Sequence, residues 1–169
     1  MSSNATAGLR AVLIGGLVAG TIDIEAAALI NHVSPVLIAH YIATGALGKS
    51  ALSGGAAAAY LGVVLQWGMS VIIAAIYWFV TAAMPRLRAQ WWLGGLLAGV
   101  VIYLVMNFLV MPFSAAPVTL HEVIARLRPA KAAEDLLAMF VFGLIVAFCA
   151  RHLAAGKQAA PGMVLAKRP

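Results

Sequence analysis

Residues 56–83 read AAAAYLGVVLQWGMSVIIAAIYWFVTAA, and no Asp, Glu, Lys or Arg interrupts them. About 20 helical residues cross a hydrocarbon core roughly 30 Å thick, so this stretch is long enough to span a bilayer. Its Gly62, Gln66, Ser70, Ala74 and Tyr77 recur at helical spacing and fall on one stripe. A stripe of small and polar residues belongs against other helices rather than lipid. The rest of the chain has the same character. Of its 169 residues 64% are hydrophobic and 9% charged, with a mean hydropathy of +1.01, more apolar surface than a soluble domain of this length can bury.

The expected fold is therefore all-α: a polytopic membrane protein with four transmembrane helices, at about 9–31, 56–83, 91–111 and 136–154, forming one membrane domain over 9–154. A short N-terminal segment, 1–8, precedes it, and a mobile basic tail, 155–169, follows. Eleven basic residues flank the apolar runs. Arg10, Arg86, Arg88, Arg151, Lys157, Lys167 and Arg168 fall on one side, and Lys49, Arg126, Arg128 and Lys131 on the other. Seven against four points to a multi-pass protein of the bacterial inner membrane with both termini cytoplasmic. The positive charge is topology signal; with no basic stripe interleaved with aromatics, no nucleic-acid partner is expected.

The two outer connections carry helix signals of their own. In SPVLIAHYIATGALG, Ser34 is a candidate N-cap and Pro35 a first helical residue. The helix expected over about 35–46 is too short to span, so it should be re-entrant or interfacial. In TLHEVIARLRP, Thr119 and Glu122 have the spacing of a capping box. A short outer amphipathic helix is expected over about 120–128.

The first span raises the functional question. GGLVAGTIDIEAAALIN, residues 15–31, places Asp23 and Glu25 where hydrocarbon should surround them. An acid near a helix centre costs roughly 2.5–3.5 kcal/mol and each Leu, Ile or Val returns about 0.3–0.6. Ten such residues between Leu9 and Ile30 return about 3–6 kcal/mol against a cost of about 5–7. The helix needs a polar partner or a wet cavity, and an intramembrane acid is a functional-site hypothesis by default. Gly16, Gly20, Asp23 and Ala27 share one stripe, and Gly95, Gly99, Tyr103 and Asn107 another. By depth, Asp23, Gln66, Tyr103 and Asn107 converge in the outer half of the bundle, a candidate polar pocket. Glu25 lies about 200° round the helix from Asp23 and is expected to meet the 35–46 segment, with His40 or Lys49 as partner. Gly16, Gly20, Gly95 and Gly99 are expected to be helix-packing positions. The short repeat GGLVAG at 15–20 and GGLLAG at 94–99 suggests two helical hairpins, with the first and third spans packed at the centre.

No catalytic motif is visible: no nucleophile elbow, H-E-x-x-H, phosphate loop or C-x-x-C. Cys149 is the only cysteine, and four scattered histidines make no metal site by spacing. No cofactor or metal is expected. The expected partners are the lipid bilayer and either further copies of the chain or a larger membrane complex, and the expected role is that of an accessory or structural membrane subunit. A small-solute or proton-handling permease using Asp23 is the alternative, and a lipid- or quinone-acting enzyme a remote one.

The segments GLVAGTIDI (16–24), SPVLIAHYIATGALGKSALSGG (34–55), YLGVVLQWGMSVIIAAIYWF (60–79) and VVIYLVMNFLVMPFSAAP (100–117), in this order, resemble a family of small bacterial inner-membrane proteins distantly similar to YagU-like proteins. Asp23, Ser34, Pro35, Gly45, Gly48, Tyr103, Asn107, Pro112 and Pro117 carry the resemblance. Gln66 and Met139 depart from it, standing where such proteins commonly have histidine. The resemblance implies a topology and no activity.

Overall fold

The computed structural model describes residues 3–125 and 128–153. The tail over 155–169 and residues 126–127 of the expected amphipathic helix lie outside them. Among the described residues all regular structure is helical, and four helices are long and apolar enough to cross a membrane. They are α1 (Ser3–Asn31), α3 (Gly55–Ala83), α5 (Trp91–Val105, prolonged to Phe113) and α8 (Pro129–His152). Shorter helices join them: α2 (Pro35–Leu47), α4 (Pro85–Ala89) and α7 (Leu120–Ala125). A 3₁₀ segment, Gly48–Ser53, follows α2.

Helix ends follow local chemistry. α1 closes in a Schellman motif: Val33 N–H donates to Ala28 O and His32 N–H to Leu29 O, with His32 at φ 54°, in the left-handed position usually given to glycine. Val33 then packs on the apolar cluster of Ile24, Ala28 and Ile38. Ser34 starts α2 as N-cap, its Oγ accepting Leu37 N–H at 3.2 Å, with Pro35 in the first turn. Two ends differ from expectation. α1 begins at Ser3 rather than near residue 9, because SNATA offers no helix breaker. α8 begins at Pro129 rather than 136, because proline is preorganised for a first turn and Lys131 and Asp135, four apart, form an ion pair that carries the helix through its charged start.

The third span changes register. α5 passes at Met106–Val110 into a π-helical turn, where Met111 N–H reaches back to Met106 O, and ends in the short α6 (Met111–Phe113). Pro112 explains it. Having no N–H for Phe108 O, and a ring that crowds that carbonyl, it makes the ordinary α register unfavourable there.

The packing order is α3–α1–α8–α5. The expectation that the first and third spans meet at the centre is corrected: α8 lies between them and packs along both. Small residues decide this. Gly143 of α8 lies directly against the Gly95 carbonyl, and a Cβ on Gly99 would stand 2.7 Å from Met139 O. On its other side α8 buries Val146, Cys149 and Ala150, with Gly15 of α1 against Val146 and Cys149. Gly16 and Gly20 instead face α3: a Cβ on Gly16 would be 2.7 Å from Val71 Cα, and one on Gly20 2.5 Å from Ser70 Oγ. α2 lies on α3 so closely that Gly62 touches the Ala39 backbone.

Arginines tie the end of the bundle that carries Ser3 and His152, here the proximal end. Arg88 donates to Ala150 O at 3.3 Å and stacks 4.1 Å above the Trp78 ring, while Arg151 donates to Ala89 O at 2.6 Å. Trp91, Phe148 and His152 form an aromatic cluster beside them.

Candidate functional site

At the opposite, distal end the helices part around a cavity of about 820 Å³. α3 and α5 meet proximally, where Tyr77 stands against Gly94. Distally the cavity separates them, and α2 reaches across to the chain beyond α6, with Ala115 N–H donating to Gly45 O at 3.0 Å. α7 adds buried Val123 to the wall. Its start is built by Thr119 and Glu122, which bond reciprocally: Thr119 N–H donates to Glu122 Oε2 at 2.7 Å and Glu122 N–H to Thr119 Oγ1 at 3.3 Å.

Asp23, Gln66, Tyr103 and Asn107 all line this cavity. Counting at about 1.5 Å per residue, Asp23 lies about 12 Å inside the distal end of α1 and Gln66 about 16 Å inside that of α3. Their side chains meet: Gln66 Nε2 donates to Asp23 Oδ2 at 2.7 Å. Gln66 is itself buried, and its amide engages one of the two carboxylate oxygens. Asn107 does not reach Asp23; its Nδ2 donates to Tyr103 O at 3.0 Å, holding it to the helix turn just before the π segment.

The remaining candidates sit elsewhere. His40 lies between two backbone carbonyls, Val36 O 2.9 Å from Nδ1 and Gly55 O 2.9 Å from Nε2, and links α2 to the start of α3. Lys49 lies in the 3₁₀ segment and is not part of the cavity lining. Glu25 does meet α2, in a shallow groove with Pro35, Val36, Thr21, Tyr60 and Trp67, but it is exposed there and pairs with neither His40 nor Lys49. Among the described residues the ion pair found is Lys131–Asp135. The expected partnership of Glu25 is thus corrected: His40 is occupied by carbonyls, and Lys49 follows the turn at Gly48.

Three charged residues that spacing did not single out belong to the site: Arg128, Lys131 and Asp135. A span starting at 136 leaves all three in its charged flank. The available signal was Lys131 four residues before Asp135, directly after a proline suited to a first turn. Asp135 and Asp23 face the same cavity. Lys131 answers Asp135, and Gln66 alone answers Asp23. Much of the wall is soft and apolar, with Met69, Met106, Met111 and Met139 among its residues.

No family model, curated protein or solved structure matches the chain.

Proposed function

We propose that this chain is a solute-binding protein of the bacterial inner membrane, with both termini cytoplasmic and α2 re-entrant from the outer side, which admits a small solute from the periplasmic side into the cavity around Asp23. The observation that carries this reading is Asp23 itself, held by Gln66 at 2.7 Å on the wall of an 820 Å³ cavity that also contains Arg128, Lys131 and Asp135. Binding sites for small molecules are concave, mostly apolar, about 300–1,000 Å³ in volume and marked by a few convergent polar groups. A carboxylate serving only to join two helices needs no such space around it.

A thiol-accessibility experiment tests the reading. In a Cys149→Ala background, Met106→Cys places a thiol on the cavity wall and Leu104→Cys one on the exposed outer face of the same helix. A charged, membrane-impermeant reagent added from the distal side should label the first far faster. Equal and slow labelling of both would mean a dry cavity and would sink the proposal.

A second reading, an accessory subunit associating with further copies or with a larger membrane complex, is favoured by Glu25. An exposed acid in an otherwise largely apolar groove is costly against lipid, and a partner helix carrying a polar group would relieve it. Native mass analysis of the purified protein decides this, and the two readings are compatible.

A further inference from the structure

Resting on the solute-binding reading, we infer that the cavity selects lipophilic organic cations: a single positive charge on an apolar or aromatic body, the charge seated at Asp23. Three features of the site lead there.

The first is the charge left uncompensated. Among the described residues four charged side chains face the cavity, two of each sign. Lys131 and Asp135 neutralise one another in a direct ion pair. Arg128 stands at the N-cap of α8, at the distal rim. Deep in the bundle Asp23 has an amide for company and, among the described residues, no cation within ion-pairing distance. A carboxylate in that position is stabilised by a solute that brings the missing positive charge, and it repels an anion.

The second is the surface around it. Met69, Met106 and Met139 come from three different helices to line the same space. Methionine is unbranched and polarizable, and walls built of it adapt to apolar bodies of varied shape. A compact hydrated ion would leave these walls against water; an organic cation covers them and gains from the apolar area buried.

The third is Tyr103, one turn before Asn107 on the wall. An aromatic side chain among the lining residues suits an organic cation, which rings attract through their quadrupole.

The test is equilibrium dialysis of four probes of related shape against the purified full-length protein: tetraphenylphosphonium, phenethylammonium, tetraphenylborate and phenylalanine. Both cations should bind saturably, one per chain, and tetraphenylborate should not. Asp23→Asn keeps an acceptor for the Gln66 amide and should fold, yet weaken the cations about tenfold or more. Asp23→Glu should stay within a few-fold of the unmutated chain. Should Asp23→Asn fail to fold, protection decides instead: tetraphenylphosphonium, and not tetraphenylborate, should slow labelling of Met106→Cys. Saturable binding of tetraphenylborate or phenylalanine in preference to the cations overturns the cation assignment while leaving a solute site. Absence of saturable cation binding also overturns it, and rapid labelling of Met106→Cys would then show that the wet cavity survives without this specificity. Undiminished cation binding by a folded Asp23→Asn variant removes Asp23 as the seat of charge.

Discussion

At the level of single residues, the most instructive position is His32. It ends α1 in the left-handed region at φ 54°, which costs an L residue roughly 1–2 kcal/mol relative to glycine. The Schellman hydrogen bonds to Ala28 and Leu29 and the packing of Val33 on the Ile24, Ala28 and Ile38 cluster hold it there. Its side chain is exposed, so His32→Gly removes strain without opening a hole. We expect a gain of about 1 kcal/mol, seen as a rise of about 2–4 °C in the melting temperature in detergent; a fall would mean that the imidazole makes a stabilising contact. A sequence pattern could not show this, since the left-handed turn is imposed by the need to bring Pro35 and α2 back onto α3. Asp23 is the opposite case. Its cost in hydrocarbon is readable from composition alone, and its stripe with Gly16 and Gly20 pointed it inward. Its partner was one of several polar candidates, and only coordinates single out Gln66 over Asn107.

Helices, the next scale, separate what hydropathy encodes from what packing decides. The four spans were legible because length and apolar content suffice to identify them. α8 as the central helix was not, because its small face is formed by Gly143, Ala147 and Ala150 among large apolar residues and carries no polar letter to mark it. Gly143→Leu should therefore be severely destabilising, by about 1–3 kcal/mol or more, since the side chain would enter the backbone of α5. Gly68, exposed on α3 with open space where its Cβ would go, gives the contrast: Gly68→Ala should be neutral or stabilise by about 0.5–1 kcal/mol. Thermal unfolding of the two variants checks the pair, and similar losses in both would show that Gly143 is no contact. The π turn of the third span makes a further prediction. If Pro112 causes it, Pro112→Ala restores a donor for Phe108 O and lets the α register run on, turning the chain beyond by about 100°. Thiol labelling at Met111→Cys should then fall several-fold while labelling at Met106→Cys stays the same. No change at either position would mean that the turn is held by the distal loop instead.

For the molecule as a whole, the two GG-containing segments acquire a common geometry. Gly16 and Gly20 pack on α3, the next span after α1; Gly95 and Gly99 pack on α8, the next span after α5. Each hairpin thus closes on its own glycine face, and α8 joins the hairpins by packing on α1 as well. Arg88 and Arg151 add crossed bonds at the proximal end, and the cavity lies at the distal end. Which compartment the cavity faces depends on orientation, and the basic residues bear on that. Arg10, Arg86, Arg88 and Arg151 cluster at the proximal end with the Trp91 aromatic group, and Lys49, Arg128 and Lys131 at the distal end. With positive charge retained on the cytoplasmic side, a reporter enzyme active only in the periplasm should be silent when fused after Pro169 and active when inserted after Ser53, at the end of the 3₁₀ segment. The reverse pattern would turn the protein over in the membrane, and the cavity around Asp23 would then draw on the cytoplasm.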